Sequence, residues 1–201
     1  HRRLPFIPTL KLSTISLIIQ WLVSSTFLIS NLKALSAGRE MSKDFSRLHK
    51  FVESESVLTI ATADACGSWS APVLYVADTS AEPFTLYFLS SANSRHVKSL
   101  PVDGAAAVSI YSDYDGNWQS ICGAQINGTI AQVTEQERGA VADRYFARFP
   151  EIKTLIDNPQ TKQEELIGAA FGRSNFFRVS PSFIRFTNNG DSFAGRTEWQ
   201  L

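Results

Sequence analysis

Between Leu86 and Leu100 the chain reads Leu-Tyr-Phe-Leu-Ser-Ser-Ala-Asn-Ser-Arg-His-Val-Lys-Ser-Leu. An alternating apolar run ends in the hydroxyl residues Ser90 and Ser91. A short helix is expected over 93–100, with Asn93 or Ser94 as N-cap. Arg95, His96 and Lys98 then fall in its first turns. Helix N-termini present unpaired N–H groups and a partial positive charge, which suit a phosphate. Arg adds a two-pronged fork for phosphate oxygens. Basic residues at a helix start oppose the dipole, so their presence points to an anion. The alternative is a capped surface helix with a solvated charged face. On the residues alone, both readings stand.

Other chemistries find less support. The histidines are His1, His49 and His96, and the cysteines are Cys66 and Cys122. No two of these have C-x-x-C or H-x3-H spacing, so no metal site is expected. Cys122 is expected to pack on an apolar strand face. Cys66 falls in a turn, with no basic neighbour to lower its pKa. There is no G-x-S-x-G, no G-x-G-x-x-G and no P-loop. Asp113 and Asp115 share a loop and read as a solvated turn. No catalytic residue is assigned.

The elements that position these residues follow from periodicity. Residues 42–54 form an amphipathic helix, with Phe45, Leu48 and Phe51/Val52 at helical spacing. Val57–Thr62 is a β-branched strand, and Asp64–Gly67 is a turn. Ser70–Val76 is a second strand, where Pro72 marks a strand start or an exposed edge. Phe84–Leu89 and Ala105–Tyr111 are the third and fourth. Ile121–Val133 is a long strand with clean alternation. Cys122, Ala124, Ile126, Gly128 and Ile130 share one face, and Gly128 signals a bend or bulge. Thr134-Glu135-Gln136-Glu137 is a capping box opening a helix to about Phe149. Val141, Tyr145 and Phe149 give it one apolar stripe. Pro150 opens a second short helix that Pro159 ends. No element is assigned from 160 to 174. Asn175–Val179 and Ser182–Phe186 read as the last two strands, turning at Ser180-Pro181. The fold class is mainly β: a small closed or split barrel, mostly antiparallel, with flanking helices.

The chain has 201 residues, with nineteen Lys+Arg against nineteen Asp+Glu. That neutrality argues against a nucleic-acid partner. It averages two unlike segments. Residues 1–40 hold five basic groups and one acid, and residues 41–201 hold fourteen and eighteen. Residues 12–32 carry no charge and include the apolar run Ser16–Val23. Three readings apply to 1–40: an over-long start ahead of Met41, a membrane anchor or signal segment, and a core or partner helix. Residues 41–201 form the working domain. A cytoplasmic location is expected, or a membrane-anchored one if 12–32 is a real anchor.

The Ser90–Lys98 stretch resembles the phosphate-binding segment of the pyridoxamine 5′-phosphate oxidase-like family of FMN-binding split barrels. There a strand ends in Thr/Ser, and Ser-Arg-Lys/His opens a helix after a short gap. Ala71–Val76 stands in the place of the family strand that lies along the flavin. Trp118-Gln119-x-x-x-Gly123-x-Gln125-Ile126-x-Gly128-x-Ile130-Ala131 resembles the long strand, and Arg144–Pro150 the helix after it. Phe183–Asn188 through Trp199 resembles a bacterial branch of the superfamily. The resemblance covers about 45–201.

It implies a homodimer with FMN at the subunit interface, deazaflavin and haem being the alternative cofactors. Ser90, Ser94, Arg95, His96 and Lys98 would hold the phosphate. Val73, Leu74 and Tyr75 would line the ring, with Trp118 and Gln125 also on the cofactor. The implied function is an oxidoreductase of unknown substrate, or a non-catalytic flavin- or haem-binding protein for storage or sensing. Two departures stand out. The oxidase ends in a substrate-binding Arg-x-His region, whereas here no His follows His96 and the tail reads Gly195-Arg196-Thr197-Glu198-Trp199. Pyridoxamine phosphate is therefore not the expected substrate, and the C-terminal His of haem-degrading relatives is missing too. His96 also stands where many members have Lys, which makes it a weaker fixed charge.

Overall fold

Alternating β-branched and small residues after Ser56 form a hairpin that starts the sheet. The computed structural model describes residues 45–80, 84–191 and 195–201. The leader or membrane segment expected over 1–40 lies outside the described residues. Among the described residues, no helix is long and apolar enough to cross a membrane. Helix α1 (residues 45–54) buries Leu48, Phe51 and Val52. Strands β1 (Val57–Asp64) and β2 (Gly67–Asp78) follow. Their turn closes where Asp64 Oδ1 accepts from the Cys66 N–H at 2.7 Å. Gly67 adopts φ 105°, which a residue with a Cβ rarely does.

β2 is longer than the pattern indicated. Pro72 sits in its middle, opposite Thr59. β2 meets β3 (Thr85–Ser90) only from Tyr75 onward. Pro72 therefore lies on a stretch paired on one side, where a missing N–H costs little.

Helix α2 (Arg95–Lys98), strand β4 (Ala105–Tyr111), a 3-10 turn (Trp118–Ser120) and strand β5 (Cys122–Gln132) come next. Helices α3 (Glu135–Arg148), α4 (Pro150–Asp157) and α5 (Lys162–Gly172) precede strands β6 (Asn175–Asn188) and β7 (Arg196–Gln200). The strand order is β3-β2-β1-β4-β5-β6-β7. All pairings are antiparallel, and β3–β6 pairing closes a six-stranded barrel with β7 added outside. Leu58, Ile60, Tyr75, Leu86, Phe88, Ile110, Ile126 and Ile184 are fully buried in its core. A second apolar cluster joins Val76, Val133 and Phe176 to Val141, Tyr145, Phe149 and Ile152. It seats α3 and α4 on the sheet. The expected stripe and capping box of α3 are both present.

Two expectations are corrected. Residues 175–188 form one strand, not two joined at Ser180-Pro181. The irregularity there is a bulge: β5 pairing passes from Asn127↔Phe183 to Gly128↔Pro181, skipping Ser182. A Cβ on Gly128 would lie 2.3 Å from the Ser180 carbonyl oxygen, so this glycine admits the β6 backbone. The first half of β6 bonds to β3 and the second half to β7. Pro181 falls between them, where its missing N–H is tolerated. The second correction is α5, in the stretch left unassigned. Its signal was the run Thr161-Lys162-Gln163-Glu164, in which the Thr161 hydroxyl accepts from the Glu164 N–H at 3.2 Å.

Candidate functional site at the end of β3

The inward alternation of β3 buries Leu86, Phe88 and Ser90. Ser90 is thus a hydroxyl at the last inward position of a barrel strand. The chain then turns, with the Ser94 N–H donating to the Ser91 carbonyl at 3.0 Å. Ser94 becomes the N-cap of α2, which has only four residues. The helix expected over 93–100 is therefore a single turn. One turn aligns few peptide dipoles, so the macrodipole argument for anion binding loses most of its force. The side chains carry the site instead.

They converge on one nitrogen. His96 Nε2 lies 2.8 Å from Ser90 Oγ and 3.1 Å from Ser94 Oγ. The two hydroxyls are 3.2 Å apart. The Ser94 hydroxyl donates to the Ser91 carbonyl at 2.8 Å. It makes no capping bond to the first-turn N–H groups. Burial, with the Phe88 ring 6.4 Å away, lowers the His96 pKa below its ordinary value. The imidazole is therefore neutral at neutral pH. A neutral imidazole offers one lone pair and a protonated one offers none. When His96 takes a proton its Nε2 can only donate, and the hydroxyl oxygens around it become the acceptors within the cluster.

Arg95 is on the same turn but faces elsewhere. Its guanidinium sits 4.5 Å from the Trp69 ring centroid, a cation–π contact with β2. It also lies near Asp64, whose carboxyl is held below its usual range by the Ser99 hydroxyl and the Cys66 N–H. Lys98 is exposed. The structure thus joins Ser90, Ser94 and His96, while Arg95 lies over Trp69 and Lys98 is exposed to solvent. Trp69 was not anticipated. Only the β1–β2 register, which sets it opposite Thr62, brings it near this helix.

The remaining expected residues are scattered. Tyr75 is fully buried and its hydroxyl donates to the Val52 carbonyl at 2.6 Å. Burial raises its phenol pKa well above the ordinary value. Its side chain is committed to the core. Leu74 packs against the α3–α4 cluster, and Val73 is half-buried on the open edge of β2. Trp118 is exposed, and its carbonyl accepts from the Asn189 side chain at 3.0 Å. Gln125 is exposed on the outer face of β5. It lines an open cleft of about 550 Å³ with Asn127, Phe183, Arg185, Thr187 and Arg196.

The cysteines differ as their positions predict. Cys66 is exposed, and Cys122 is half-buried with its thiol pushed up to about 11 by burial. Among the described residues, no group of three or more His, Cys, Asp or Glu side chains could hold a metal ion.

Comparison with known proteins places this geometry. The chain is 26% identical over 158 residues to a UPF0306 protein of Photorhabdus laumondii, covering 79% of this chain and 96% of that one. Its fold resembles ChuZ of Campylobacter jejuni (TM-score 0.58, 13% identity, 79% of this chain and 60% of that one). It also resembles a heme-binding protein of Mycobacterium smegmatis (TM-score 0.56, 15% identity, 75% and 55%). HutZ, the heme storage protein of Vibrio cholerae, has a TM-score of 0.50 at 18% identity over 68% and 88% of the two chains. At these identities the likeness concerns the fold. The family model of pyridoxamine 5′-phosphate oxidase matches residues 46–187, a span running from α1 almost to the end of β6. With the closed six-stranded barrel and the Ser90–His96 turn both inside that span, the chain belongs to the pyridoxamine 5′-phosphate oxidase family.

Proposed function

We propose that this protein binds FMN through the Ser90–Ser94–His96 cluster and acts as a flavin-dependent oxidoreductase. The observation that carries the reading is the convergence of two hydroxyls and one imidazole on a single point at the barrel end. No carboxylate takes part in that cluster, so nothing there repels an anion. Protonated His96 and the Ser90 hydroxyl would donate to phosphate oxygens, as would the Ser94 hydroxyl once turned from the Ser91 carbonyl, with Arg95 and Lys98 adding positive charge nearby. Arg95 can swing from the Trp69 ring, since a cation–π contact at an exposed site is worth only about 0.5–1 kcal/mol. The flavin, when bound, supplies the electron transfer, and the protein supplies orientation and electrostatics.

A second copy of the chain completes the reading. Tyr111, Tyr114, Trp118 and Ile121 are all substantially exposed along one stretch of chain. A run of large apolar groups in water is a surface that favours a partner. A homodimer covering it would bring a second subunit to the flavin.

Haem is the other ligand to weigh, given the heme-binding and heme-storage proteins of like fold. Haem iron takes an axial ligand, often His. Here His96 Nε2 is held by two hydroxyls, and His49 packs edge-on against Phe84 at 5.8 Å. Flavin is therefore the better fit.

The test is a parallel titration of the full chain with FMN, riboflavin and haemin. Riboflavin is FMN without its phosphate. FMN should bind at least about tenfold tighter, the equivalent of one charge-assisted hydrogen bond. Equal affinity for FMN and riboflavin would reject the phosphate site. A Soret band with tight haemin binding and no FMN affinity would reject the flavin reading.

A further inference from the structure

Helix α2 is a single turn and none of its four residues is buried, so it cannot hold its own place. A turn this short makes too few internal hydrogen bonds to offset the entropy of forming it. Those bonds run from the Lys98 N–H to the Ser94 carbonyl at 3.0 Å and from the Ser99 N–H to the Arg95 carbonyl at 2.8 Å. Whatever aims His96 at Ser90 must also act from outside the helix.

The β1–β2 hairpin supplies two such contacts. Asp64 ends β1, and its carboxylate oxygens meet different partners. Oδ1 accepts from the Cys66 N–H and closes the hairpin turn. Oδ2 accepts from the Ser99 hydroxyl at 2.5 Å. Ser99 is the C-cap of α2 and, unlike the helix residues themselves, it is buried. A buried hydroxyl needs a partner, and this one meets a carboxylate 35 positions away in the chain. At the start of the same turn, the Arg95 guanidinium rests on the Trp69 ring of β2. A cation–π contact at an exposed site is weak. A hydroxyl–carboxylate bond is charge-assisted and among the stronger kinds. Asp64 is thus the main strut between the hairpin and α2. Only one helical turn separates Ser99 from His96, so a shift at the C-cap reaches the imidazole.

We infer that Asp64 is a positioning residue for the phosphate site: by holding Ser99 it fixes the turn that aims His96 at Ser90 and Ser94. It acts through Ser99 and α2, not on the ligand. The inference rests on the FMN reading and adds to it a residue that the sequence does not mark out, since an Asp opening a turn is ordinary turn chemistry. Without the strut, α2 keeps its binding-competent place for only part of the time. The apparent Kd for FMN then rises by the inverse of that fraction.

The test titrates the full chain with FMN and riboflavin, and follows backbone hydrogen exchange over residues 91–100 without ligand. Asp64→Ala and Ser99→Ala should each weaken FMN by about tenfold, the scale of one hydrogen bond to a charged group, and leave riboflavin unchanged. The double variant should lose no more than either single one, because the two groups form one contact. Asp64→Asn should bind FMN as the native protein does. Its carbonyl still accepts from Cys66, and its amide can donate to the Ser99 oxygen. Exchange over 91–100 should quicken in both alanine variants and not in Asp64→Asn, with α3 equally protected in all. Asp64 is exposed, so these substitutions leave the barrel core intact. Unchanged FMN affinity in Asp64→Ala and Ser99→Ala, in a protein that natively prefers FMN, overturns the inference and leaves the FMN reading standing. Equal losses for FMN and riboflavin, or lost protection in α3, also overturn it, by showing a general structural role. A native protein with no preference for FMN refutes the FMN reading and, with it, a role for Asp64 at a phosphate; the exchange measurement then still decides whether Asp64 holds α2.

Discussion

His96 makes flavin affinity depend on pH, with a sign and size that follow from its surroundings. In the free protein, burial holds its pKa below the ordinary value of 6.5, so the imidazole is neutral near pH 7. A bound phosphate dianion favours the charged form and raises that pKa. Binding therefore takes up a proton whenever the pH lies between the two values. In that window the Kd for FMN rises by up to about tenfold per pH unit, since one pKa unit corresponds to about 1.4 kcal/mol. Affinity is full below the free-state pKa and is lost as pH rises through the bound-state pKa. Phosphate monoesters lose their second charge near about pH 6, which flattens the profile at the acid end. The steep part should thus begin at the free-state pKa, which burial holds below the ordinary 6.5, and end at the bound-state pKa above it. The assay is quenching of flavin fluorescence at half-unit pH intervals, with riboflavin as the phosphate-free control. Riboflavin affinity should stay flat. His96→Lys should bind FMN tightly with no slope, because lysine stays charged throughout. His96→Ala should weaken FMN by about tenfold to a hundredfold, the value of one hydrogen bond to a charged group. An FMN profile that is flat in the native protein would refute the reasoning. So would an equal slope for riboflavin, or a slope that persists in His96→Ala.

Two further outcomes test the fold around the site. One thiol per chain, the exposed Cys66, should react quickly with a maleimide in native protein. Cys122, half-buried with its thiol pushed up to about 11, should react only after unfolding; two fast thiols would show that β5 opens at its start. Gly128→Ala sets a methyl 2.3 Å from the Ser180 carbonyl oxygen, and should cost about 1–3 kcal/mol in denaturant unfolding with the six-stranded topology retained. An unchanged unfolding midpoint would mean that the β5–β6 backbones do not approach so closely.

Much of this molecule was legible in its residues because local rules dictated it. Thr134 and Glu137 close a capping box wherever the chain goes, and the stripe of Val141, Tyr145 and Phe149 follows from helical period alone. The alternation of β5 fixes which side of it is apolar. The Ser90-to-Lys98 run resembles a segment of one family by residue type, and the family is shown by its model matching residues 46–187. What failed at this level failed for a physical reason. Ser180-Pro181 resembles a turn, yet the chain runs straight through, because Gly128 on another strand makes room for it. A residue 52 positions away cannot be read locally.

The site divides along the same line. The sequence by itself determined that hydroxyl and basic groups follow one another directly after the end of a barrel strand. Tertiary structure alone decided which of them meet. Barrel closure and the single-turn α2 turn His96 inward to Ser90, and the β1–β2 hairpin holds Trp69 under Arg95. The same closure sends the Tyr75 hydroxyl to the Val52 carbonyl instead of to a ligand. Strand register also assembled the open cleft beside Gln125 from three separate strands. Side-chain direction on a closed sheet depends on which strands pair and in what register, and that is a property of the whole barrel.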